Sequence, residues 1–217
     1  VLRDLSFSVA RGEAVGIIGT NGAGKSTLLK LLMDLIKPSS GRARIAGLDT
    51  QQSPLELKRI IGYLPGELVD FPGVTAGYIL NLLMNLRGIN DKSYLVELAT
   101  RFELDLERKY QELSHGNKQK VGLIQAFMHD PEVIILDEPT IGLDPIVQRE
   151  FKLLIEERLE KKKTILLSSH VLSDIESLCT RIALIIEGKI IKEGTLFEFR
   201  DTREHKVSIT FRSDIPT

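Results

Sequence analysis

The stretch Gly19-Thr20-Asn21-Gly22-Ala23-Gly24-Lys25-Ser26-Thr27 follows the spacing G-x-x-x-x-G-K-[ST]. Glycines at such spacing let the main chain wrap closely around an anion and adopt positive φ. If a helix begins there, its first N–H groups and its dipole favour phosphate. Lys25 then reaches the β- and γ-phosphates, and the Ser26 hydroxyl can ligate Mg²⁺. The chemistry on offer is capture of a nucleoside triphosphate. A flexible glycine-rich turn is the simpler alternative, but the segment lies between an apolar run and a helical pattern, which is the setting the phosphate loop requires.

A second group stands at Val133-Ile134-Ile135-Leu136-Asp137-Glu138, an apolar run ending in two carboxylates. In a parallel sheet, ligands bind beyond the carboxyl ends of the strands. Asp137 there suits Mg²⁺, and Glu138 suits orienting or deprotonating an attacking water. Alone the pair says little, because strands often end in acidic turns; its weight comes from coexisting with the phosphate loop.

The elements that must position these groups can be read from periodicity. Leu5, Phe7 and Val9 alternate with polar residues, which predicts a strand over Leu2–Val9; Val15–Ile18 reads as a buried strand. The loop is followed by a helix over Lys25–Ile36, closed by Lys37-Pro38-Ser39-Ser40-Gly41. Short strands are expected at Arg42–Ala46 and Arg59–Tyr63. The middle of the chain turns helical, with helices at Ala76–Leu86, Lys92–Phe102 and Asn117–His129 and a short turn near Leu106–Gln111. Strands return at Val133–Leu136 and Thr164–Leu167 around an amphipathic helix Pro145–Glu160. Cys179 is expected in a helix with Ile175 and Leu178. Arg181–Glu187 and Lys189–Lys192 read as a hairpin turning at Glu187-Gly188, and Lys206–Arg212 as one more strand.

Bulk composition narrows the classes. The 217 residues are 42% hydrophobic, enough for a packed core, and 29 basic against 30 acidic side chains give a net charge of −1. A dedicated nucleic-acid binder would carry a basic excess, so no nucleic-acid partner is expected. The single cysteine allows no internal disulfide and favours a reducing, cytosolic setting. No apolar run approaches the roughly 18–20 residues of a bilayer span, so membrane helices, if the protein works with them, come from elsewhere. The chain opens at Val1 inside a strand pattern, and both ends are expected to be cut.

Four segments carry a resemblance. Leu113-Ser114-His115-Gly116-Asn117-Lys118-Gln119 is similar to the signature motif of ATP-binding cassette ATPases. Asp137-Glu138-Pro139-Thr140 and Gly142-Leu143-Asp144-Pro145 resemble that family's Walker B motif and D-loop, and Ser168-Ser169-His170 its switch histidine. The order matches from Gly19 to His170. The resemblance implies an α/β fold: a P-loop NTPase with a RecA-like core, a small antiparallel β-subdomain and an inserted α-helical subdomain. The core with its β-subdomain would span 1–66 and 131–200 and the helical subdomain 67–130, with a C-terminal extension from 201 to 217. It also implies head-to-tail pairing with a second nucleotide-binding domain, homo- or heterodimeric. ATP would then lie between one partner's phosphate loop and Ser114 and Gly116 of the other. Asp144 would join the binding set, and His170 would contact the γ-phosphate. The cofactors would be ATP and Mg²⁺, the partner a transmembrane permease, and the location the cytoplasmic, inner face of the cell membrane. Local sequence agrees for the signature, where Ser114 can also cap a helix and Gly116 admits close backbone approach.

Some positions depart from the pattern. Gly66 stands where the family usually carries Gln, followed by Glu67; His115, Asn117 and Ile141 also differ, in a way that resembles the bacterial drug- and antibiotic-export branch. An aromatic residue that would stack on adenine is absent ahead of Val1–Val9. Two other functions compete with transport: a soluble cassette ATPase in translation or DNA repair, and a non-enzymatic nucleotide-binding regulator, against which Lys25, Asp137, Glu138 and His170 all argue.

Overall fold

The computed structural model describes residues 2–201. Its centre is a six-stranded sheet in the order β4-β5-β6-β1-β7-β8. The strands are β1 (Ala14–Ile18), β4 (Ile61–Leu64), β5 (Val133–Asp137), β6 (Thr164–Ser169), β7 (Arg181–Ile186) and β8 (Lys189–Thr195). All neighbours pair in parallel except β7 with β8, the expected hairpin. Its turn puts Glu187 at φ 48 and Gly188 at φ 80, the two successive positive angles a tight hairpin needs. A separate antiparallel pair, β2 (Arg44–Ile45) and β3 (Leu48–Asp49), is the small β-element.

Both faces of the central sheet are covered, and alternate residues of each strand serve opposite cores. Ile134, Leu136, Ile165 and Leu167 enter the larger core, with the middle helices. Val15, Ile17, Ile135 and Leu166 enter the second, with α1 (Lys25–Leu32) and α2 (Pro54–Ile60). The middle helices are α3 (Ala76–Leu86), α4 (Ser93–Arg101) and α5 (His115–Phe127), with a single 3₁₀ turn at Tyr110–Glu112. α5 packs on β4 and β5 as well as on α3 and α4. It reaches the sheet closely because Gly62 of β4 has no side chain: a Cβ there would lie 1.8 Å from the Ala126 carbonyl oxygen. The later helices are α6 (Pro145–Glu160), α7 (Leu172–Leu178) and α8 (Leu196–Asp201).

Several expectations need correction. Leu2–Val9 forms no strand: its apolar residues pack alternately against the second core, yet the one main-chain bond recorded there is Arg3 N–H to Gly188 O. Alternation reports which side chains are buried, not whether a neighbouring edge pairs. α1 stops at Leu32, four residues early, because Asp34 takes φ 55. Its N–H donates to Leu31 O while Leu35 N–H donates to Lys30 O, a Schellman closure. Arg42–Ala46 contributes two strand residues, and Arg59–Tyr63 straddles the end of α2 and the start of β4. α2 was not expected, although Ser53-Pro54 places proline at N1. α5 begins at His115 and ends at Phe127, two residues earlier at each end than expected. Cys179 follows α7 in extended conformation. Lys206–Arg212 lies outside the described residues.

His129 follows α5 and turns its Nε2 to the Ile61 carbonyl, 3.1 Å away. Burial, with the Arg87 charge adding, pushes its imidazole from the ordinary 6.5 down to about 4. The unfolded chain therefore binds an extra proton between those values, and stability is lost as pH falls from 6.5 towards 4, by up to about 3 kcal/mol. Urea unfolding at stepped pH should show that slope in the wild type and a flatter one in His129→Gln; equal slopes would place the acid sensitivity elsewhere.

Candidate active site

Strand order brings the chemistry together. β5, β6 and β1 are neighbours, and their carboxyl ends deliver Asp137-Glu138, Ser168-Ser169-His170 and the loop from Gly19. Register sets the details: Asp137 stands beside Ser168, and Ile18 beside Ser169. The result is a cleft of about 280 Å³. Thr20, Asn21, Gly22, Gly24, Lys25, Ser26 and Thr27 line one side, and Gly66, Glu67, Asp137, Glu138 and Ile141 the other. Gly22 sits at φ 82 and Gly24, the N-cap of α1, at φ 111, conformations that suit glycine alone. Ala23 is buried in the second core and anchors the loop from beneath.

Lys25 is buried, and its ammonium donates to Gly19 O at 2.7 Å and Thr20 O at 3.4 Å. It also lies 3.3 Å from Glu138 Oε1. The other carboxylate oxygen of Glu138 meets His170 Nδ1 at 2.9 Å and accepts the His170 main-chain N–H at 3.3 Å. Lys25 and Glu138, expected from their motifs, and His170, expected from the family resemblance, thus form one continuous chain, Lys25–Glu138–His170. Glu138 holds φ 51, a left-handed angle that a β-carbon disfavours.

Asp137 and Ser168 share a buried hydrogen bond of 2.5 Å, and Ser168 Oγ also accepts the Glu138 N–H at 3.0 Å. The sequence offers Ser168 only as a neighbour of His170; its role depends on register, which no local pattern reveals. The remaining oxygen, Asp137 Oδ2, is buried with no hydrogen-bond partner among the described residues. Such an atom calls for a cation or donor. With the Ser26 hydroxyl lining the same cleft, the donor set fits magnesium. Burial, with the Asp137 charge adding, pushes the nearby Tyr63 phenol up to about 12. The departure at Gly66 meets a tertiary contact: a Cβ there would come within 2.8 Å of Asp137 Oδ2.

Ser114, Gly116 and Asp144 do not line this cleft. Ser114 caps α5, its Oγ accepting the Asn117 N–H at 3.3 Å. Gly116 packs against the D-loop, where a Cβ would meet the Gly142 carbonyl oxygen at 2.3 Å. Asp144 caps α6, accepting the Ile146 and Val147 N–H groups at 3.0 Å. The Val147 bond is the main cause of its lowered carboxyl titration.

A family model described as ABC transporter matches residues 2–141. The ABC transporter ATP-binding protein NatA of Bacillus subtilis is 35% identical over 221 residues, spanning 99% of this chain and 90% of that protein. The bacitracin transport ATP-binding protein BcrA of Bacillus licheniformis is 39% identical over 196 residues, covering 87% of this chain and 63% of the relative. A solved ATP-binding subunit of an ABC transporter superposes with a TM-score of 0.86 at 34% identity, covering 93% of this chain and 86% of its own. The dimeric post-hydrolysis cassette MJ0796, bound to ADP and Pi, gives 0.79 at 26% identity over 90% of each chain. With its phosphate loop, acidic pair and histidine converging on one cleft, the chain belongs to the ABC transporter family, as an ATP-binding subunit that hydrolyses ATP to power transport.

Proposed function

We propose that the chain works as one half of a head-to-tail pair of nucleotide-binding domains, in which each ATP is held by the phosphate loop of one copy and by Ser114 and Gly116 of the other. The observation that carries this reading is the separation just described. Ser114 is exposed at the start of α5, away from the chain's own cleft, so its phosphate-binding chemistry is free to serve a neighbour's nucleotide. A dimeric cassette among the similar structures supports pairing as such.

In the cleft, Gly19–Thr27 wraps the phosphates and Lys25 neutralises charge on the β- and γ-phosphates. Ser26 and Asp137 would hold Mg²⁺, which when bound shields the phosphate oxygens. Glu138 takes a proton from the attacking water as the bond to the γ-phosphorus forms and the bond to the bridging oxygen breaks, releasing ADP. His170, hydrogen-bonded to Glu138, contacts the γ-phosphate.

No helix among the described residues is long and apolar enough to cross a membrane; a membrane-spanning permease partner supplies that part, and the chain sits on the membrane's inner face. An apolar stripe of Tyr78, Leu82 and Leu86 is exposed at i, i+4, i+8 on α3, and Val69 and Phe71 are exposed after Gly66. These suit a docking surface. That loop is tied to the signature helix by the 2.5 Å Asp70–Lys118 pair, and to the 3₁₀ turn before it by Phe71 set edge-on against Tyr110. A core of 1–66 and 131–200 and a helical part of 67–130, with α5 packed on both, would allow one to move against the other. Export is supported by the names of relatives, such as a probable multidrug transporter protein and a linearmycin resistance protein.

Complementation tests the pairing. Lys25→Ala and Ser114→Arg should each be inactive alone. Mixed, they form one intact composite site, from the Lys25 of one copy and the Ser114 of the other, and ATP hydrolysis should return. Mixed dimers that stay silent would refute head-to-tail sharing.

A further inference from the structure

Gln119 is a buried polar side chain to which the reaction described above assigns nothing. It lies in the second turn of α5, five residues beyond the Ser114 cap. Its Nε2 donates to the Glu138 carbonyl at 3.1 Å and to the Pro139 carbonyl at 3.2 Å. Both hydrogens of the amide are thereby used on the carbonyls of Glu138, the proposed base, and of the residue that follows it.

That peptide needs holding. Glu138 stands at φ 51, where a residue with a side chain persists only if its surroundings fix it. The fixing is two-sided: Ser168 Oγ takes the Glu138 N–H at 3.0 Å, and Gln119 grips the Glu138 carbonyl. The carboxylate then reaches Lys25 on one oxygen and His170 on the other. A rotation of the peptide would carry that carboxylate away from both partners. Close packing of Gly116 on the Gly142 carbonyl presses the same helix against the same loop, and leaves Gln119 little room to move away.

We propose that Gln119 is a positioning residue for hydrolysis: it locks the left-handed main chain of Glu138 and so aims the carboxylate, without touching nucleotide itself. The inference rests on the reading of Glu138 as the base. It joins the helix that starts at Ser114 to the peptide that presents Glu138 in one hydrogen-bonded unit.

The test is steady-state ATP hydrolysis by the full chain carrying Gln119→Leu, which keeps much of the bulk and removes both donors, or Gln119→Glu, which keeps the shape and turns an acceptor towards two carbonyls. Each should lower kcat by about tenfold or more, Gln119→Glu at least as far as Gln119→Leu, with KM for MgATP within about twofold of the wild type. A residue that merely fills space would lower the melting temperature and leave kcat of the folded fraction unchanged; that result in either variant overturns the proposal. So would a rise in KM with unchanged kcat. Glu138→Gln run alongside separates the two readings. If it turns over normally, the base assignment falls. If it is dead while the Gln119 variants match the wild type, only the role of Gln119 falls.

Discussion

Glu138→Gln should cut ATP turnover by about 100- to 10,000-fold, the contribution of a well-placed general base, while nucleotide binding survives. The substitution is nearly isosteric. It preserves the contact with His170 and the main-chain bonds from Ser168 and Gln119 that hold φ 51. What it removes is the proton acceptor and the negative charge 3.3 Å from the Lys25 ammonium. Lys25 then faces the phosphates without a competing carboxylate, so affinity for MgATP should hold or rise. In the proposed pairing nucleotide favours the dimer, so with hydrolysis blocked the variant should accumulate as an ATP-bound dimer. Sedimentation with and without MgATP, beside a phosphate-release assay, reads both halves. Normal turnover in this variant would take Glu138 out of the base role.

The parts of the site legible in sequence were those whose geometry is local. Gly19–Thr27 is a loop whose residue types dictate its own path, and Asp137-Glu138 closes an apolar run too short to be anything but a buried strand. The parts that were not legible depend on neighbours distant in the chain. Ser168 matters because β5 and β6 pair in one register, and a slip of one residue would turn it away from Asp137. Gln119 matters because α5 crosses above the loop after β5. Gly66 was visible as a departure, but its cause, the Asp137 carboxylate lying against it, is a tertiary contact.

Errors in the elements have a similar origin. α1 ends just before Asp34, at φ 55. That residue is not glycine, so the usual stop signal was missing, and the apolar pattern continued into the exposed Leu35 and Ile36. α3 closes at Gly88 and α6 just before Lys162, and their predicted ends at Leu86 and Glu160 are the observed ones. The alternation of Leu2–Val9 predicts a strand; the segment shows the one-sided burial of a strand without the pairing. A composition rule sees side chains; whether main-chain groups find partners is settled by the sheet edge that folds beside them.

The second large effect belongs to Lys25. Its ammonium has three hydrogens and meets three acceptors: the Gly19 and Thr20 carbonyls and Glu138 Oε1. The first two hold the cation in the loop; the third ties it to Glu138, the proposed base. Lys25→Ala removes a buried cation, and the damage is twofold. The β- and γ-phosphates lose charge-assisted bonds, worth about 1.5–3 kcal/mol and hence roughly 10- to 100-fold in MgATP affinity. Transition-state charge on the γ-phosphate loses its nearest side-chain cation, a further factor of about 100 to 1,000 in kcat. Lys25→Arg should rescue neither, since a planar guanidinium cannot point donors at carbonyls on one side and phosphates on the other in the space of an ammonium. AMP separates this loss from general collapse of the cleft, because its single phosphate lies at the α position. Calorimetry should show AMP binding unchanged in Lys25→Ala while ATP affinity falls; equal losses for both would mean that the loop itself had come apart, and unchanged ATP affinity would remove Lys25 from the phosphate site.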